Sequence, residues 1–137
     1  MPVILFNNGA PRDISIVDIP PETLVSVSVR IIPADPVIVR IGGHSIIRCL
    51  EIDVEMLEFS DFKLGTVSDL FGKQAFFRIN ANKVRVSQSR ASVAKIPVRS
   101  VLTVNIGNQK FETLEMDDSS NLSLNAIFNY SIKFSVR

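Results

Sequence analysis

Tryptophan is absent from this chain, while tyrosine, histidine and cysteine occur once each, as Tyr130, His44 and Cys49. Each shortage closes off a chemistry. A sole cysteine allows no disulfide within the chain, and with a sole histidine it cannot complete the Cys/His sets that hold structural zinc. That cysteine usage fits a reducing compartment, or a particle assembled in one. Any neutral-pH proton shuttle would rest on His44 alone. Cys49 stands five positions further on, an odd offset that sends the two side chains to opposite faces of a strand. The nucleophile-elbow, Walker, dinucleotide-fingerprint and zincin patterns are also missing. The expectation is a protein that is not an enzyme, with no catalytic residues, no cofactor and no metal site. Sugar binding by a β-sandwich often relies on exposed Trp or Tyr, so that ligand class is weakly supported as well.

Long hydrophobic runs are lacking too. Charge interrupts every oily segment before the roughly 18 residues that a membrane-spanning helix requires. The opening MPVILFNNG turns at Asn7-Asn8-Gly9, too early for a secretory signal. These features predict no membrane span and no export signal, with residence in the cytoplasm or in an assembled virion.

What is present is a chain of 137 residues, 46% hydrophobic, with a formal charge of +1. Those values suit one compact domain over residues 1–137, large enough to fold without disulfides or a structural metal. Period-two alternation recurs in TLVSVSVRII, LEIDVEM, NKVRVSQ and NYSIKFSV. Breaks come at Pro20-Pro21, at Pro33 to Pro36, at Gly42-Gly43, at Asn80-Ala81-Asn82, at Gly107-Asn108 and at Asp117 to Ser120. Strands are predicted at 2–6, 13–19, 23–32, 37–41, 45–59, 75–79, 83–88, 96–106, 110–116 and 122–136, with hairpins at Gly42-Gly43 and Gly107-Asn108. So many short strands exceed one flat sheet and point to an all-β, two-sheet antiparallel β-sandwich, jelly-roll-like in its arrangement. The one helical signal is TVSDLFG, a single turn near 66–71 with Thr66 or Ser68 as its cap.

Four groups of residues are candidates for function. Glu51, Asp53 and Glu55 alternate with Leu50, Ile52, Val54 and Met56, which reads as the solvent face of a half-buried strand rather than a carboxylate site. The break at 60–74 carries Phe62 and Phe71, which either contact a partner from a loop or cap the core. From residue 70 to 111 there are eight bases and no acid, whereas six acids stand against Lys63 between residues 51 and 69. Lys73, Arg78, Lys83, Arg85, Arg90, Lys95 and Arg99 are therefore the candidate contacts for a polyanion or an acidic partner. The same block equally fits ion pairs between strands or between subunits. The segment 87–95, with Arg90 and Lys95, reads as an exposed connection.

Strands close to both ends of the sequence leave sheet edges that need covering, and self-association is one way to cover them. Two functions are consistent with this reading. The first is a non-enzymatic structural protein forming a homo-oligomer, such as a capsid, vertex or spike component of a virus or phage, with itself and other structural proteins as partners. The second is a small binding module that uses the basic 73–110 block, for nucleic acid or an acidic partner, or the 60–74 loop.

Overall fold

The computed structural model describes residues 12–16, 18–36, 39–48, 52–54, 57–85, 93–119 and 122–135. Nine strands and one helical turn are seen among them: β1 (Arg12–Ser15), β2 (Leu24–Pro33), β3 (Val39–Ile47), β4 (Ile52–Val54), β5 (Phe59–Thr66), α1 (Val67–Leu70), β6 (Gln74–Arg85), β7 (Val98–Ile106), β8 (Gln109–Asp117) and β9 (Asn125–Ser135). They form a five-stranded sheet of order β1-β9-β6-β3-β4 and a four-stranded sheet of order β5-β2-β7-β8. All pairings are antiparallel except that of β1 with β9. The architecture is thus the two-sheet β-sandwich that the alternation predicts.

The alternation does the sorting. On β2, Val25, Val27, Val29 and Ile31 are buried, while Arg30 between them is exposed. The register places Val29, Leu102 and Leu114 in one buried row across the four-stranded sheet. Ile47, Phe77 and Tyr130 form the corresponding kind of row on the five-stranded sheet. The inner faces of both sheets join in one hydrophobic cluster. Each fully buried Val, Leu, Ile or Phe in it contributes roughly 1.5–3 kcal/mol of transfer free energy.

Two polar pairs tie the layers together. The Tyr130 hydroxyl on β9 donates to the Ser100 carbonyl oxygen at 3.1 Å and also meets the Ser100 hydroxyl on β7. At one end of the sandwich, Lys83 of β6 lies 2.5 Å from Asp118 Oδ2, both side chains being almost wholly buried. Lys83 Nζ also donates to the Ala94 carbonyl at 3.1 Å, and Asp118 Oδ1 accepts the Val98 N–H at 2.8 Å. Asp118 Oδ2 has the ion pair with Lys83 as its contact and no aligned hydrogen bond.

Four boundaries differ from expectation, each for a local reason. Gly42-Gly43 is no hairpin; β3 runs straight through it, paired with β6. Gly43 sits at φ +129°, and a Cβ there would come within 1.8 Å of the Asn80 carbonyl oxygen, so glycine serves a close strand approach instead. Asn80-Ala81-Asn82 likewise lies inside the unbroken β6, where Gly43, Ala81 and Ala126 form a small-residue row across three strands. The stretch 45–59 is three strands in part: β3 ends at Ile47, β4 folds back on it, and β5 begins at Phe59.

The fourth difference concerns 60–74, expected to be a loop. Its first part, 60–66, belongs to β5, paired to β2 with two register shifts and with Asp61 at φ 53°. Bulges change the parity of inward positions, which hides the period-two signal. The helical turn itself lies where expected, with Thr66 as N-cap and a reciprocal Thr66–Asp69 capping box. The Gly107-Asn108 hairpin between β7 and β8 is also as predicted. The predicted strand 2–6 lies outside the described residues.

Candidate interaction face

Strand register decides which charged residues meet. The three central strands of the five-stranded sheet, β3, β6 and β9, contain no acidic residue at all. Their bases are Arg40, Arg78, Lys83, Arg85 and Lys133. The four-stranded sheet is balanced: Asp61, Glu112, Glu115 and Asp117 stand against Arg30, Lys63, Arg99 and Lys110. Charge is therefore segregated by sheet, although the whole chain carries only +1.

On the outer side of the five-stranded sheet the rows can be followed strand by strand. Arg48, just beyond β3, donates its N–H to the Phe76 carbonyl at 2.9 Å, and Phe76 pairs with Ser131. The next row is Ile46, Arg78 and Asn129. The one after it is His44, Asn80 and Ile127, in which Asn80 Nδ2 and His44 Nε2 are 3.3 Å apart. Arg40 pairs with Val84 at the far end. Arg40, Arg48, Arg78 and Lys133 are all exposed. Gln74 Nε2 donates to Ser131 Oγ at 2.6 Å, which fixes the amide at the near end.

Phe76 is the exposed aromatic residue of this face. A strand residue pointing away from the core is usually polar, yet Phe76 is 46% exposed, as is Val84 (49%) at the other end of the same strand face. Phe76 borders a depression of about 350 Å³ lined by the outward Arg48, Phe76, Arg78, Asn129 and Ser131 together with the intervening Phe77 and Tyr130, whose side chains are buried. Phe76 and Arg78, two positions apart on one strand, are separated by about 6.5–7 Å, and Arg48, one residue past the end of β3, stands across from Phe76 at about the 4.8 Å spacing of neighbouring strands. Two guanidinium-bearing residues thus flank one exposed ring.

The bases singled out in the sequence are dispersed by the same register. Arg78 belongs to this face. Lys83 points inward and is consumed by Asp118, so it is withdrawn from any outer surface. Arg99 is exposed on the other sheet, with its Nε 3.6 Å from Glu115, an ion pair of the cross-strand kind. Lys73 lies in the turn between α1 and β6, and Lys95 in the turn after Val93, both exposed. Lys73 sits near Asp69, whose carboxyl is held below the ordinary range chiefly by the Thr66 N–H and then by the Thr66 hydroxyl. Arg85 ends β6 opposite Val39. Arg90 lies outside the described residues.

Of the aromatic candidates, Phe62 is half-buried and packs edge-on against Phe59, with ring centroids 5.6 Å apart. Phe71 closes α1 and is 40% exposed. Among the carboxylates, Asp53 stands opposite Ile46 in the β3–β4 register, while Glu51 and Glu55, like Cys49, lie outside the described residues. Among the described residues no cluster of three or more His, Cys, Asp or Glu is placed to hold a metal ion, and no helix is long and apolar enough to cross a membrane.

Alternation alone puts one ring of Phe76-Phe77 on the face of Arg78, but sequence reasoning missed Arg40, Arg48 and Lys133 as members of the same surface. Arg40, Arg48 and Lys133 lie outside the basic block, and only the pairing of β3 with β6 and of β6 with β9 brings them beside Arg78. The signal that was available is the absence of acids from three separate alternating segments. Compared with protein-family models, with curated proteins and with solved structures, the chain matches none.

Proposed function

We propose that this protein is a non-enzymatic assembly component, a β-sandwich building block that associates with copies of itself. The observation that carries the reading is the state of the sheet edges. Exposed edge strands invite pairing with another chain, and proteins blunt them by brevity, bulges or cover. Here β1 has four residues, β4 has three, and β5 is interrupted by two register shifts. By contrast β8 runs for nine residues, and among the described residues no strand pairs with its outer side. A second copy adding its own β8 across a two-fold axis would extend the four-stranded sheet through the interface.

At the level of architecture alone, this reading extends to the homo-oligomeric shells, vertices and spikes of virus or phage particles. Sedimentation velocity across a concentration series tests it, together with hydrogen exchange on β8. Self-association with protected β8 amides is the expected result. A monomer at high concentration, or an oligomer whose β8 amides exchange freely, overturns it.

A second reading is favoured by the Arg48–Phe76–Arg78 arrangement: a binding module whose working surface is the outer face of the five-stranded sheet. The two readings use different parts of the molecule, an edge and a face, so one protein can serve both.

A further inference from the structure

We infer that the outer face of the five-stranded sheet binds single-stranded nucleic acid, with Phe76 as the stacking platform and Arg48 and Arg78 as the phosphate contacts flanking it. The inference rests on reading that face as a working surface. It starts from charge: three adjacent strands free of acids, with Arg48 just past the end of β3, present Arg40, Arg48, Arg78 and Lys133 outward, with Asp13 beside Lys133 at the β1 margin and Asp53 in register with Ile46 at the β4 margin. A polyanion is the complement of such a face.

The exposed ring narrows the class. An acidic protein surface would satisfy the guanidiniums, but base stacking uses the ring as well. Sequence-tolerant binding of single strands combines a cationic track with aromatic rings on which unpaired bases lie. A paired duplex keeps its bases stacked within the helix and would leave Phe76 unused. The spacing also fits, because a ring flanked along its strand and across to the next by cationic residues lets phosphates on either side of one stacked base reach a guanidinium. Among the remaining outward positions Gln74, Asn80, Asn82 and Asn125 are neutral amides, which neither repel the backbone nor impose one base, and they share the face with the apolar Ile46, Val84 and Ile127.

The test is a titration of a fluorescein-labelled oligothymidylate of about 12 nucleotides, followed by anisotropy at several salt concentrations. If the four outward cations each neutralise one phosphate, the logarithm of the binding constant falls against that of salt with a slope of about −3. Phe76→Ser is expected to weaken binding by about 5- to 150-fold, the value of one stacked base. Arg48→Ser and Arg78→Ser should each flatten the slope by about 0.7. Arg99→Ser, on the opposite sheet, should leave binding unchanged.

Polyglutamate is the competing probe. Binding of polyglutamate as tight as that of the oligonucleotide, with Phe76→Ser indifferent, overturns the inference in favour of an acidic protein partner. Absence of oligonucleotide binding at low salt overturns it outright, as does an Arg99→Ser loss as large as that of Arg78→Ser. All these side chains are exposed, and the unfolding midpoint of each variant identifies any loss that comes from misfolding. Sedimentation of the same samples separates the two proposals: an intact oligomer that never binds oligonucleotide removes this one and leaves the assembly reading standing.

Discussion

Tyr130 carries the only phenol of the chain into the space between the sheets, where it meets both the hydroxyl and the carbonyl of Ser100. Burial pushes its ionisation well above the ordinary tyrosine range, opposed in part by the Ser100 hydrogen bond. The raised folded-state value means that the folded chain holds this proton more tightly than the unfolded one. The associated stability is complete below the unfolded value of about 10 and is progressively lost above it. With no tryptophan and no second tyrosine, the phenolate absorbance reports this one group. We expect no phenolate signal where a free tyrosine would ionise, and a rise only together with alkaline unfolding. Ionisation near pH 10 with the fold intact would refute the burial argument.

The Lys83–Asp118 pair makes the opposite kind of prediction, because it joins two charges rather than hiding one neutral group. Removing one partner strands the other in the interior, so Lys83→Met or Asp118→Leu alone should cost about 3–5 kcal/mol in denaturant unfolding. Making both changes together should cost far less. The residue would come mainly from the Val98 N–H that loses Asp118 Oδ1, about 1–3 kcal/mol for an unsatisfied buried donor. A double variant as unstable as the sum of the singles would show that the pair acts through something other than mutual neutralisation.

At the scale of the element, β3 and β6 show how composition misleads when read one segment at a time. Two adjacent glycines and an Asn-Ala-Asn triplet carry the residues of turns, yet both lie mid-strand and face each other in register: Gly43 opposite Ala81, and His44 opposite Asn80. What looks like two breaks is one place where strands approach too closely for a side chain. Gly43→Ala is therefore expected to cost more than about 2 kcal/mol, from strained backbone and from the collision with the Asn80 carbonyl. Thermal unfolding checks it, and an unchanged midpoint would mean that β3 and β6 are not held at this distance. The bulges of β5 mislead in the other direction. Phe59 and Leu64 are both buried although five positions apart, an offset that an unbulged strand would send to opposite faces.

For the whole molecule, the distribution of charge matters more than its sum. The stretch from 70 to 111, with eight bases and no acid, suggests one basic surface, but a stretch of that length spans several strands and connections, and strands belong to different sheets. Folding sends Arg78 to one outer face, Arg99 to the other and Lys83 into the interior. It then builds a different cationic group from Arg40, Arg48, Arg78 and Lys133. The two proposals separate at this scale. Edge pairing through β8 rests on backbone hydrogen bonds and should tolerate salt, whereas binding at the cationic face should weaken steeply with it. An oligomer that dissociates along the same salt curve as the oligonucleotide would merge the two surfaces into one.

The chain by itself determined the layered all-β architecture, the inward residues of most strands, the single capped helical turn and the Gly107-Asn108 hairpin. These follow from side chains alternating two by two and from turn chemistry, both of which are local. Tertiary structure alone decided that Gly42-Gly43 and Asn80-Ala81-Asn82 are spanned rather than turned, that Lys83 is buried against Asp118, and that Arg48 joins Phe76 and Arg78 on one face. Those outcomes depend on which strand lies beside which, and pairing partners separated by tens of residues are chosen by packing of the two layers, not by the residues on either side of them.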